Sequence, residues 1–526
     1  DVAAAMLRHA LPERDGDGGL HLELARAEIA AGEPAGAMRM RELLRDEAEP
    51  ARRARLALEL GDALMSRHDH REAAAILREE LRGDPGEELA LQVLAMLAVC
   101  ERYAPGPQDS DAQRRLAATV AGLAGATPGE RYALAVDALN RPRATADELA
   151  AAARTVQRAW PDALLPRAAL GGAAVNLISA YALEEAEAWL GRIFVELREL
   201  GLPVAWVQAS SILGSCLRLR GALVAAEQRL REANAAAAEM QLGLERTAGA
   251  ELAIVLVEAG RVGEAAALLA ACDPPGPVPE RMLDNVRLLA RARVAEAEHR
   301  DDDAIAGLLE LGRRLRRWSL ERPVPPWRST AARLLAARGE GDHARRLAAE
   351  ELTAARRWGG REVLGIALRG TALVSEPVHL PALEASVAAL DRGGARLELA
   401  RALVELGAAR RRGRGRSAAR DPLERGMELA HRCGAAGLVE RAHTELRATG
   451  ARPRRLVRTG ADALTPSERR VVELAVAGHT NREIAAELYV TLATVETHLR
   501  HAFQKLGVHA RAELRAALEE KITVVP

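Results

Sequence analysis

Near the C-terminus, Ala493, Glu496, Thr497, Arg500 and Gln504 fall on one stripe of a helical reading, bringing a carboxylate, a hydroxyl, a guanidinium and an amide to one side. The opposite stripe, Val495, Leu499, Ala502, Phe503 and Leu506, is apolar and asks for a core. A polar stripe of this kind does hydrogen-bonding chemistry with solvent or with a groove. It lacks the groups for bond-breaking, and no H-E-x-x-H, G-x-S-x-G or paired metal-ligand cluster occurs elsewhere in the chain.

The elements that must position this stripe carry clear start and stop signals. Thr465-Pro466-Ser467-Glu468 combines an N-cap Thr, Pro at the first helical position and Glu at the third, which closes a capping box. Val471, Leu474 and Ala475 form the inner face of that helix, and Gly478 ends it as a left-handed C-cap would. Thr480-Asn481-Arg482-Glu483 repeats the capping box, and Ile484, Ala485 and Leu488 form the buried side of a short second helix. The turn Tyr489-Val490-Thr491 then leads into the third helix, about 491–506. Small Ala485 lies where two helices must cross. This is the layout of a helix-turn-helix, whose second helix enters the DNA major groove. Gly507 ends the third helix, and Ala510 to Glu520 read as a fourth with Leu514, Ala517 and Leu518 on one face.

Several of these motifs together resemble one family. Leu464-Thr-Pro-Ser-Glu-Arg469, Gly478-His-Thr-Asn-Arg-Glu-Ile-Ala485, Thr494-Val-Glu-Thr-His-Leu499 and Lys505-Leu-Gly507 are similar to the LuxR-type, or NarL/FixJ-type, DNA-binding domain of bacterial transcription regulators. The resemblance implies base and phosphate contacts from Glu496, Thr497 and Arg500, with Thr491, Thr494, Gln504 and Lys505 beside them. It implies that Thr480, Asn481 and Arg482 hold the DNA backbone through a helix N-terminus and fix register without reading sequence. Where many members place Lys, this chain has Glu496. A carboxylate repels phosphate, so Glu496 either accepts from a cytosine amino group or stays solvated. Arg500, one turn further along, suits guanine or phosphate. Leu514, Ala517 and Leu518 resemble the family's dimer face; an ordinary core stripe is the alternative.

Upstream, residues from about 20 to 450 read as one helix after another, rich in Ala and Leu, with breaks at Gly83-Asp84-Pro85, Asp273-Pro274-Pro275-Gly276 and Pro323-Val324-Pro325-Pro326. An internal repeat runs through them. Leu60-Gly61 is followed by Ala73 and Leu77, Leu213-Gly214 by Ala226 and Leu230, and Leu406-Gly407 by Ala419 and Leu423, at the same offsets. Leu252-Ala253, Ala265 and Leu269 make a fourth copy with Ala in place of Gly. A small residue lets a second helix approach, and Leu fills the groove one turn later. Gly221 and Gly260 mark the turns. The offsets resemble tetratricopeptide-type hairpins, about ten of which would stack into a solenoid whose concave face holds a partner. The expected fold is therefore all-α: a TPR-like array over 1–450, a basic linker over 451–460 and a four-helix LuxR-type domain over 461–526.

Three local features carry bland and sharp readings together. The run Arg410-Arg411-Arg412-Gly413-Arg414-Gly415-Arg416 fits a solvated inter-helix loop better than a nucleic-acid arm. Asp15-Gly16-Asp17-Gly18 lacks the Glu that a calcium loop needs at its twelfth position. His68-Asp69-His70 has no third metal ligand in view.

Composition limits the remaining classes. Basic and acidic residues balance at 74 each, which excludes a globally basic coat. Residues 461–526 carry eight Lys/Arg against nine Asp/Glu, and the linker arginines Arg452, Arg454, Arg455 and Arg458 tip the C-terminal part to a small positive excess. Few phosphate contacts, a shallow salt slope and weak binding by a monomer are expected, offset by a homodimer on two half-sites roughly 10 bp apart. Aromatics at 2% argue against stacking readers of single strands. Lys505 and Lys521 are the only lysines, so neither a P-loop nor a cofactor in Schiff-base linkage fits. Cys100, Cys216, Cys272 and Cys433 are scattered like buried thiols of a reducing cytoplasm, and no apolar run is long enough to span a membrane.

Ala354-Ala-Arg-Arg-Trp-Gly359, residues 395–407 and residues 445–450 resemble the helical region of the large ATP-binding regulators of that family. There an N-terminal P-loop ATPase comes first, and this chain is expected to start just after one. No cofactor is expected in these residues, and ATP would enter only through such a preceding domain. The expected function is that of a cytoplasmic bacterial regulator, not an enzyme. It would bind double-stranded DNA as a dimer and contact RNA polymerase, with a protein or small ligand on the repeats. A scaffold with secondary DNA binding is the alternative. The short linker also suggests that the repeats sequester the third helix.

Overall fold

A computed structural model describes residues 2–10, 18–66, 69–103, 111–140, 144–159, 167–199, 203–240, 244–281, 284–317, 323–413, 415–451, 464–488, 490–506 and 508–519. The described residues are helical and contain no strand. Among the described residues, twenty-four helices between Val2 and Ala448 form a TPR-like helical-hairpin solenoid, somewhat more hairpins than the repeat spacing suggests. A C-terminal helix-turn-helix domain follows.

The repeat registers are set by the small residues. In the hairpin Pro203–Arg220 and Leu223–Glu239, a methyl group at Gly214 would run into the Leu230 side chain. In the hairpin Arg396–Arg412 and Arg416–Cys433, one at Gly407 would run into Leu423. At Gly61 the fit is looser, 3.5 Å to Leu77 Cδ1, and the tighter neighbour is Met96 Sδ at 3.0 Å, from a third helix. Ala253 and Ala265 of the fourth copy are fully buried. Gly221 and Gly260 turn the chain at φ 83° and 82°, the left-handed region where a side chain is strained.

The array also touches itself across a long sequence distance. Gly221 lies against Leu397 and Cys433, and Gly260 against the backbone of Gly437. Between these layers runs a chain of charges. Arg369 bonds Glu398 at 2.5 Å, Glu398 also bonds Arg401, and Arg401 reaches Glu258 at 3.2 Å. Arg218 lies 3.8 Å from Glu258 and 3.4 Å from Glu251. Burial alone would push the Glu398 carboxyl up, yet Arg369 and Arg401 outweigh it and bring it to about 2.

Two sequence breaks prove to be built. The carboxylate of Asp273, in the Asp-Pro-Pro-Gly stretch, is wholly buried and accepts from Arg287 Nε at 2.9 Å and Arg291 Nε at 2.6 Å. The Arg410–Arg416 run is only partly a loop. Arg410 and Arg411 lie on the helix ending at Arg412 and pair with Glu384 at 2.7 Å and Glu445 at 2.5 Å. Arg414 lies outside the described residues, as do Asp15 to Asp17, His68 and the linker arginines. His70 is buried with its ring 5.6 Å from that of Tyr103, and no three-ligand metal group exists among the described residues. Cys100, Cys216 and Cys433 are buried free thiols, and burial raises Cys216 to about 12. Among the described residues, no helix is long and apolar enough to cross a membrane.

Candidate DNA-binding site

The C-terminal domain is built on a small core. Val471, Val472, Ala475, Ile484, Val495, Leu499 and Ala502 are buried together, with Leu464 and Leu514 closing it. Its first helix, Pro466–Val476, starts at a capping box in which Thr465 and Glu468 bond each other's backbone N–H, at 2.7 Å and 3.2 Å. The second, Asn481–Leu488, starts likewise, Thr480 N–H donating to Glu483 at 2.7 Å. With Thr480 Oγ1 also donating to it, the Glu483 carboxyl is held below the ordinary carboxylate value. Gly478 takes φ 99° between them, as a left-handed stop requires. The third helix, Leu492–Leu506, buries Val495, Leu499 and Ala502 and half-buries Phe503 and Leu506.

The predicted site residues separate into two groups. Glu496, Arg500 and Gln504 are exposed along the third helix, with half-buried Thr497 beside them, and Arg482 is exposed at the start of the second. Among the described residues neither Arg482 nor Arg500 has a hydrogen bond or ion pair. Asn481, Glu496, Leu499, Arg500, Phe503 and Arg511 line an open depression of about 400 Å³. It is mostly apolar at its floor and charged at its rim.

The others are spent inside the domain. Lys505 does not face outward for phosphate: its Nζ bonds both oxygens of Glu468, at 2.6 and 2.8 Å, tying the third helix to the start of the first. Burial works against charge on Glu468, but Lys505 and the Thr465 N–H hold its carboxyl below the ordinary value. Thr491 caps the third helix, accepting from Thr494 N–H at 3.2 Å, and the two hydroxyls bond each other at 2.8 Å. Thr480 is occupied by its capping box. Asn481 Oδ1 accepts from Arg511 Nη1 at 2.9 Å.

The fourth helix departs from expectation in form and role. A 3-10 turn, Arg511–Glu513, precedes a short helix, Leu514–Glu519. Leu514 has no exposed surface and fills the domain's own core. Ala517 and Leu518 are half-buried and keep some surface.

Sequence reasoning missed two features. Arg511 donates to the carbonyl of His479 in the turn after the first helix, and Arg515 to that of Val476 at 3.2 Å, satisfying the carbonyl of the last residue of that helix. Their spacing of four on one helical face was the available signal. Val490 and Leu492 are exposed at 38% and 41% at the entry to the third helix, apolar residues with no core to fill.

The repeats do not cover the reading stripe. They reach this domain at Ser467, whose N–H donates to Gln228 Oε1 at 3.3 Å and whose hydroxyl bonds Gln228 Nε2, while Glu496, Arg500 and Gln504 stay open. Sequestration of the third helix is therefore not what this arrangement does.

A helical-repeat array bearing a C-terminal helix-turn-helix with an open polar stripe defines a class of DNA-binding regulators. Residues 462–517 match the family described as bacterial regulatory proteins, luxR family. The chain is 48% identical over 50 residues to the spore germination protein GerE of Bacillus subtilis, which is 10% of this chain and 68% of GerE. It is 48% identical over 67 residues to the transcriptional regulatory protein MctR of Rhizobium johnstonii, covering 12% of this chain and 31% of MctR. The chain belongs to the luxR family through this domain. The match spans less than a third of MctR. In structure, the chain is similar to the APC/C hetero-tetramer Cut9–Hcn1 at 15% identity and a TM-score of 0.44, over 98% of this chain and 93% of that one. The hairpins themselves, not that likeness, establish the solenoid.

Proposed function

We propose that this chain is a sequence-specific transcriptional regulator that lays the helix Leu492–Leu506 in the DNA major groove. The observation that carries the reading is the pair of open, unpartnered arginines, Arg482 and Arg500, exposed with Glu496 and Gln504 on a luxR-family domain in which Thr480, Asn481, Thr491, Thr494 and Lys505 are internally bonded. Arg500 suits the O6 and N7 of a guanine. Thr497 and Gln504 extend its reach. Glu496 on the same rim accepts from a cytosine amino group, and exposed Leu492 and Val490 suit a thymine methyl. Arg482 and the free N–H groups of the second helix hold a phosphate and fix register.

With so few free cations, a single domain binds weakly, and a homodimer through Ala517 and Leu518 supplies the second half-site. The array of residues 1–450 acts as a sensor or partner-holding scaffold, joined by residues 451–460 to the reader of 461–526. It works in the cytoplasm, with RNA polymerase as a further contact. No catalytic role is assigned to these residues.

The test is selection from a random DNA pool. Enrichment of a half-palindrome supports a sequence reader, with binding that weakens only modestly as salt rises because few phosphates are neutralised. Absence of any enriched sequence at low salt would overturn the reading in favour of a scaffold.

A further inference from the structure

Among the described residues, the array helix Leu223–Glu239 reaches the reader, through the side chain of Gln228. The carboxamide of Gln228 faces Ser467 with both of its ends. Its oxygen accepts from the Ser467 N–H at 3.3 Å and its nitrogen bonds the Ser467 hydroxyl. That N–H belongs to the first turn of Pro466–Val476, where intrahelical partners are lacking, so Gln228 satisfies a donor the helix leaves open. Glu468, the next residue, already holds the third helix through Lys505. The array thus grips the reader at the helix end to which the reading helix is anchored, and leaves Glu496, Arg500 and Gln504 of the stripe exposed.

The grip is built to be weak. Next to Gln228, Arg229 stacks over the rings of Phe194 and Trp206, at 5.0 and 5.9 Å from their centroids, and pairs with Glu232 at 3.1 Å. Arg470 of the reader lies close enough to repel it. A two-ended amide contact beside two like charges gives a small net attraction, because the hydrogen bonds contribute little against water and the arginines oppose closure.

We propose that Gln228 and Ser467 form a reversible latch by which the hairpin Pro203–Arg220 and Leu223–Glu239 docks the reader of the same chain with its reading stripe turned outward. The latch orients the reader on the array, and a change in that hairpin is passed to the third helix through Ser467, Glu468 and Lys505. The partner of this surface is the reader domain itself.

Cysteine trapping tests the latch without reference to DNA. In the full chain with Cys272→Ser, since Cys272 is the one described thiol not fully buried, Gln228→Cys and Ser467→Cys are combined and mildly oxidised. An intramolecular disulfide is expected to form several-fold faster than in a control pairing Ser467→Cys with Asp302→Cys, an exposed position on helix Asp301–Arg317. Adding Arg470→Glu, which turns repulsion of Arg229 into attraction, is expected to speed trapping further. In otherwise native chain, Gln228→Ala is expected to accelerate amide hydrogen exchange at Ser467 while circular dichroism stays unchanged. Trapping no faster than the control, or unchanged exchange at Ser467, would overturn the proposal.

Discussion

The arginines set between helices of the repeat array differ from those on the open face of the reader. Between array helices they are tied: Arg287 and Arg291 close on Asp273, Arg369 and Arg401 on Glu398, Arg441 on Glu405 at 2.7 Å. In the reader, Arg511 and Arg515 cap a helix, but Arg482 and Arg500 stand open. A chain whose 74 basic and 74 acidic groups cancel still keeps free cations on its reader. Net charge therefore says little about such a protein, and pairing says much. An arginine matched to a buried carboxylate is structure, and one left unmatched at the rim of a mostly apolar depression is open to a partner.

The largest expected effect lies on the paired side of this contrast. Asp273→Ala leaves buried Arg287 with Asp284 alone and takes the carboxylate from Arg291, and should cost the array about 3 kcal/mol in denaturant unfolding, with the reader's DNA affinity unchanged per folded molecule. A loss typical of a surface pair would break the contrast. Next, Gly407→Val drives a side chain into Leu423 and should cost about 1–3 kcal/mol by overpacking, while Gly263→Val, on helix Val262–Cys272 with nothing within 4 Å, does not share that overpacking cost.

Within the reader, Lys505→Met removes a cation that touches no DNA in this account. It should destabilise the domain by about 1–3 kcal/mol through the stranded Glu468 carboxylate. Its salt slope of DNA binding should not change, whereas a phosphate-binding lysine would lower that slope by about one on removal. The smallest effect is a pH dependence. The folded value of Glu398, about 2, lies below its ordinary 4.5, so the unfolded chain takes up the proton first. The stability this carboxylate contributes is whole above about pH 4.5 and is lost as pH falls from there toward 2. Glu398→Gln should flatten the acid limb of the unfolding curve; an unaltered limb would place the proton uptake elsewhere.

Much of this was legible in the residues because the signals were local. Capping boxes at Thr465 and Thr480 and the stop at Gly478 act within one turn, and the structure keeps all three. The Gly214–Leu230 and Gly407–Leu423 contacts followed from spacing alone, since a hairpin fixes which faces meet. What stayed hidden was pairing across elements. Lys505 reads as a DNA contact until Glu468 is seen 37 positions away, and Leu514 reads as a dimer face until the domain core closes over it. An exposed stripe and a stripe covered by a distant helix have the same periodicity, so sequence cannot separate them.

The most direct test is base preference at the contact of Arg500. The selected half-site and its single-base variants are titrated by fluorescence anisotropy with wild type, Arg500→Ala and Arg500→Lys. A bidentate guanine contact predicts that Arg500→Ala loses about 1–3 kcal/mol and becomes indifferent to the base at one position, with Arg500→Lys only partly restoring it. Equal weakening on every variant would make Arg500 a phosphate contact, and no weakening at all would contradict a reading role for the third helix.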